Sequence, residues 1–93
     1  MQLSGSSKLM HSEDVIFSEI DGETILMDGD LEHYYGMEPV STEIWKLMNA
    51  EISFDGLISQ LVKIYEISAE QCKEDITPFL QKLYDRKMIV VAE

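Results

Sequence analysis

The sequence predicts an α+β domain of winged helix-turn-helix type: a three-stranded antiparallel meander, then three helices, then a candidate short C-terminal strand. Three observations predict it. Two Asp-Gly pairs, Asp21-Gly22 and Asp28-Gly29, separate short runs of β-branched and aromatic residues, as hairpin turns do. From Pro39 onward the apolar residues recur at helical spacing. The last apolar run, Met88–Val91, is too short for a helix and reads as an extended segment packed on the sheet or on the third helix.

Taken in order, Met1–Ser12 is polar, Ser/Gly-rich and without period, so residues 1–12 are expected to be a disordered tail and residues 13–93 the folded domain. Val15–Ile20 and Thr24–Met27 are the first two strands. Leu31–Met37 is the third, with Leu31, His33, Tyr35 and Met37 alternating toward a core and Glu32, Tyr34 and Gly36 away from it. Pro39 ends the extended region. Ser41 is placed to cap the first helix, with Glu43 in its first turn and Ile44, Trp45, Leu47 and Met48 on its apolar face. Asn49-Ala50-Glu51 breaks that pattern, and Ser53 caps a second helix carrying Leu57, Ile58, Leu61, Val62, Ile64 and Tyr65. Ser68-Ala69-Glu70-Gln71 is a capping box for the third helix, whose apolar stripe is Cys72, Ile76, Phe79 and Leu83 with Leu80 and Tyr84 beside it. Pro78 falls inside this helix and removes the bond to the carbonyl of Glu74, which predicts a kink or a division into two short helices.

Composition narrows the function. The 93 residues make one small domain with 45% hydrophobic content, enough for a core but with little room for a deep catalytic cleft. The net charge is −11, and residues 1–39 hold nine acidic residues against one Lys. Such a chain suits neither nucleic acid nor an anionic membrane, both of which are held by Lys and Arg. A winged-helix nucleic-acid binder is therefore the reading of another class that the order of elements allows and the charge opposes. One Cys excludes an internal disulfide, and with no signal peptide or membrane span apparent the expected location is cytoplasmic. Cys72 lies on an apolar stripe and reads as a buried thiol. Cys72, His11 and His33 are too dispersed for a zinc site, and the glycines sit in turns rather than in a phosphate loop. No catalysis and no cofactor are expected.

What the residues do favour is an edge. Nothing after the third strand has an evident pairing to its outer side. Its charged residue Glu32 and the following Pro39 leave the middle, with Tyr34, Tyr35 and Gly36, open for an added β-strand. The same open edge offers a route to dimers.

The run Met37-Glu38-Pro39-Val40-Ser41-Thr42-Glu43-Ile44-Trp45-Lys46-Leu47-Met48 resembles the first-helix motif of PqqD-like proteins. Leu57–Leu61 and Tyr65–Ser68 resemble their second helix and the link to the third, and Asp75–Leu83 resembles the third. The similarity covers about residues 15–91. It departs from the usual pattern at Met37-Glu38, at Ser41 and Lys87, where glycines are common, and at Pro78. The resemblance implies a recognition element for ribosomally made, post-translationally modified peptides, which binds a precursor's leader and presents it to a modifying enzyme. It implies strand addition to the third strand, at Glu32, His33, Tyr34, Tyr35, Gly36 and Met37. A groove wall on the third helix would come from Asp75, Ile76, Phe79, Leu80 and Leu83. The implied partner is a separate leader peptidase, as in lasso peptide maturation, or alternatively a radical SAM enzyme, as in pyrroloquinoline quinone synthesis.

Overall fold

A computed structural model of the chain describes residues 1–13, 15–21, 23–27, 34–37 and 39–92. The elements are β1 (Lys8–His11), β2 (Ile16–Ile20), β3 (Glu23–Met27), β4 (Tyr34–Met37), α1 (Pro39–Leu47), β5 (Ile52–Ser53), α2 (Phe54–Tyr65), α3 (Ala69–Asp85) and β6 (Ile89–Ala92). They form two antiparallel sheets, ordered β2-β3-β4 and β5-β1-β6, around three helices. This is the α+β, winged-helix-like arrangement that the pattern of elements predicts.

The meander follows its turn chemistry. Ile20 pairs with Glu23 across a two-residue turn, and Asp21 takes the left-handed φ of 52° that such a turn requires. The second expected turn, Asp28-Gly29, lies outside the described residues. Along β3, Thr24 and Leu26 are buried while Glu23 and Ile25 are exposed. Met37 pairs with Thr24 and is buried, and Gly36 pairs with Ile25 and is exposed, so the predicted alternation holds at both.

The N-terminal segment differs from expectation. In place of a disordered tail, Lys8–His11 is the middle strand of the second sheet, between β5 and β6. Leu9 is fully buried. A four-residue strand among serines carries almost no periodic signal, and its partners lie 43 to 84 residues away, so local sequence could not reveal it. The turn before it is also docked: the carbonyls of Gly5 and Ser7 accept from the backbone N–H groups of Asp55 and Phe54, two of the donors a helix N-terminus leaves unpaired. The candidate C-terminal strand is β6, and it pairs with β1 rather than with the meander.

Helix starts differ in one case. α1 begins at Pro39 rather than after a Ser41 cap, because proline's fixed φ and missing N–H suit the first helical position. The first turn then contains no acid, and Glu43 lies beyond it. Ser53 and Ser68 do cap α2 and α3, accepting from the N–H groups of Gly56 and Gln71 at 3.0 and 3.1 Å. The side chain of Gln71, however, donates to Asp75 at 2.8 Å instead of completing a capping box. α3 runs unbroken for 17 residues through Pro78. The core joins Leu9 and Leu26 from the sheets, Trp45 and Met48 from α1, Leu57 and Leu61 from α2, and Leu80 and Leu83 from α3.

Candidate functional site

β4 is the last strand of its sheet. Among the described residues, nothing pairs with its outer side. Its inner side is fixed by Thr42 of α1, a buried residue whose hydroxyl accepts from the Thr24 N–H at 3.0 Å and donates to the Met37 carbonyl at 3.4 Å. One side chain thus ties β3, the end of β4 and α1 together, holding the strand without using its outer edge. At Gly36 a side chain would meet nothing within 4 Å, so the strand's outer face is open there.

Three residues past the end of β4 a small apolar cleft begins. Val40 and Ile44 of α1, Leu61 and Tyr65 of α2, Ile67, and Cys72, Asp75 and Ile76 of α3 enclose about 200 Å³. Ile44, Leu61, Cys72 and Ile76 are nearly inaccessible and form its floor, whereas Val40 is 53% exposed and stands at its mouth. Asp75 is exposed and brings one negative charge to the lip. An apolar floor with a single charged lip can hold a hydrophobic side chain and favour a cation beside it.

Cys72 is not set up as a nucleophile. Burial, reinforced by the negative charge of Asp75, pushes its thiol pKa up, so it stays protonated and serves as a small apolar residue. Among the described residues no group of three His, Cys, Asp or Glu side chains could hold a metal ion. No helix in that set is long and apolar enough to cross a membrane.

The residues named from sequence divide. Gly36 and Met37 lie on the edge strand, and the backbones of Tyr34 and Tyr35 pair with Met27 and Leu26. Glu32 and His33, and the side chains of Tyr34 and Tyr35, lie outside the described residues. Asp75 and Ile76 line the cleft. Leu80 and Leu83 do not: both are fully buried in the core, and the reason is helical phase. The inward stripe of α3 runs Cys72, Ile76, Leu80, Leu83, which turns Phe79 to its flank, half-buried and outside the cleft. Sequence reasoning missed Val40, Tyr65 and Ile67 as cleft residues. Val40 and Ile44 stand one helical turn apart, a signal that a helix starting at Pro39 rather than Ser41 would have exposed.

A second feature was also not anticipated. His11 of β1 stacks on Trp45 of α1 at 3.6 Å between ring centres, and Phe17 of β2 meets both rings edge-on. The His11 Nε2–H donates to the Trp45 carbonyl at 2.7 Å. This cluster joins the two sheets through α1. Burial lowers the His11 pKa, partly offset by that hydrogen bond.

Residues 23–89 match the family profile of the coenzyme PQQ synthesis protein D, PqqD. The chain belongs to the PqqD family. The matched span contains β3, β4, the three helices and the start of β6, hence both the edge and the cleft; β1 and β2 lie ahead of it. The fold of this PqqD-family domain is similar to that of a solved structure described as TbiB1 in complex with the TbiA(beta) leader peptide. The TM-score is 0.79 at 21% identity, over 86% of this chain and 93% of that one. A search of curated proteins gave no match.

Proposed function

We propose that this PqqD-family domain binds the leader segment of a ribosomally made precursor peptide by β-strand addition to β4, with an apolar leader side chain in the adjoining cleft. It acts by binding and catalyses nothing itself. The observation that carries this is the juxtaposition of an edge at Tyr34–Met37, unpaired among the described residues, with an apolar cleft that starts at Val40. A protein of the same fold was solved with a leader peptide, which supports the reading. The net charge of −11 adds that the peptide carries basic residues near its bound segment.

The bound leader is then handed, in the cytoplasm, to a separate enzyme. We favour the leader peptidase of lasso-type maturation, as the resemblance to such proteins implies, over a radical SAM enzyme. Co-purification with each candidate enzyme in the presence of precursor separates the two. Peptide on the β4 edge also blocks self-pairing there, so any dimer built through that edge dissociates when peptide is added.

The decisive experiment titrates the precursor peptide into the isotope-labelled domain and follows backbone amides. The expected result is shifts at Tyr34–Met37 and around Val40, Cys72 and Ile76. Shifts confined to α2 and away from the cleft would refute the proposal.

A further inference from the structure

α1 supplies parts to both halves of the site. Thr42 fixes the end of β4, and Val40 and Ile44 wall the cleft. Where this helix sits therefore sets the step from the edge to the cleft. Nine residues are too few to hold a helix in place unaided, so its position depends on what grips it.

Its C-terminal end is gripped by one residue of β1. The last carbonyls of a helix have no donors one turn further on and take them from elsewhere. His11 meets this end twice. Its backbone N–H donates to the Met48 carbonyl at 3.2 Å, and its ring Nε2–H donates to the Trp45 carbonyl at 2.7 Å, beside the Met48 N–H that reaches the same oxygen at 3.1 Å. The ring also lies on the Trp45 indole, 13° from parallel. Stacked rings slide over one another at small cost, whereas a hydrogen bond of this length is directional. The stack supplies adhesion and the bond to Trp45 supplies position. The ion pair of Lys46 with Glu19, at 2.9 Å, also joins α1 to the meander, but both side chains are exposed and such a pair holds weakly. His11 and Phe17 lie ahead of residues 23–89, so this grip is added to the span that matches the family.

We propose that His11 is a positioning residue for the leader-binding site. It lies off the β4 edge and outside the cleft, and through the Trp45 carbonyl it holds α1 where Thr42 fixes β4 and Val40 and Ile44 wall the cleft. Its consequence for affinity rests on the leader-binding reading; its effect on α1 does not.

Two substitutions in the full chain separate adhesion from position. His11→Phe keeps the ring stack and loses the side-chain hydrogen bond. His11→Gln loses the stack and keeps an amide donor of similar reach. The backbone bond to Met48 survives both. Thermal melts read stability, and every other measurement is made well below each midpoint. Without peptide, the seat of α1 is read from hydrogen exchange at the Thr24 amide, which donates to Thr42, and from the Val40 methyl shifts. His11→Phe should melt near the unaltered protein, yet exchange faster at Thr24 and move the Val40 methyls. It should also bind a labelled leader peptide roughly threefold to tenfold more weakly. His11→Gln should melt lower and keep both exchange and affinity within about twofold of the unaltered protein. Affinity that simply follows melting temperature across the two variants would overturn the proposal, because His11 would then only stabilise the fold. Unchanged Thr24 exchange and Val40 methyls in His11→Phe would overturn it too. Failure of the unaltered domain to bind the leader peptide would instead refute the leader-binding reading, and Thr24 exchange would still decide whether His11 positions α1.

Discussion

Val40 allows the cleft to be tested without disturbing the core. It occupies the second position of α1, is 53% exposed, and stands at the mouth of the cleft opposite Asp75 and Ile76. Val40→Asp replaces an apolar wall with a carboxylate. A leader side chain seated there loses part of its apolar contact, about 1–2 kcal/mol. Seating it also strips water from the new carboxylate, which has no partner in the cleft, for about 1–3 kcal/mol more. The sum of about 2–5 kcal/mol weakens binding roughly 30-fold at the low end and more than 1000-fold at the high end. The fold itself gains if anything. α1 has no acid in its first turn, and a negative charge near a helix N-terminus contributes about 0.3–1 kcal/mol. The expected outcome is therefore a melting temperature equal to or above the starting protein together with a large loss of affinity. Fluorescence anisotropy of a labelled leader peptide reads the affinity, and a thermal melt reads the fold. Val40→Leu, which keeps the apolar wall, should bind about as tightly as the unaltered protein. A folded Val40→Asp protein that bound the leader within about threefold of the starting affinity would refute the role of the cleft.

Three further outcomes follow from the core and the joint between the sheets. The His11 pKa is lowered in the folded chain, so below the unfolded value of about 6.5 the unfolded state takes up a proton that the folded state resists, and stability falls with pH. Urea titrations near pH 7.5 and near pH 5.5 should show this loss, and His11→Gln should shrink it; an unchanged difference would exclude His11 as its source. Among the described residues the buried Trp45 indole N–H has no hydrogen-bond partner, so in Trp45→Phe the removal of that donor offsets part of the packing lost against His11 and Phe17, and urea titration should show a loss of only about 1–2 kcal/mol; a loss as large as the roughly 3–5 kcal/mol of emptying an aromatic core site would show that no such offset exists. Removing residues 1–12 takes away β1 and the buried Leu9, whose side chain alone is worth about 2–5 kcal/mol, and should abolish the cooperative thermal transition.

The parts of this fold that could be read from sequence are those written in local chemistry. Asp21 turns the chain, Ser53 and Ser68 cap, and the spacing of Leu57, Ile58 and Leu61 turns one face of α2 inward. The parts that could not be read depend on distant partners. β1 and β5 are too short to show a period, and they exist because Leu9 pairs with Ile52 on one side and Val91 on the other. The site shows the same division. Edge and helix were legible, but the choice between Phe79, Leu80 and Leu83 as groove wall turned on the rotation of α3, which the sequence left open by about one residue. The inward stripe through Leu80 puts Leu80 and Leu83 in the core and leaves Cys72, Asp75 and Ile76 for the cleft.

Why the cleft must exist follows from the length of the edge. β4 has four described residues, and since alternate residues turn their N–H and C=O outward, it offers about four hydrogen bonds, roughly 2–6 kcal/mol in all. Association and ordering of an extended peptide oppose this by at least about 4 kcal/mol. An edge of this length therefore cannot hold a peptide by its backbone alone, and backbone bonding does not distinguish one sequence from another. One large apolar side chain seated in about 200 Å³ adds about 1.5–3 kcal/mol. That brings binding to the threshold of usefulness and makes it depend on what the peptide places in the cleft. The division of roles is thus forced by magnitude: Tyr34–Met37 supplies a direction and a register, and Val40, Ile44, Cys72 and Ile76 decide which peptide is kept.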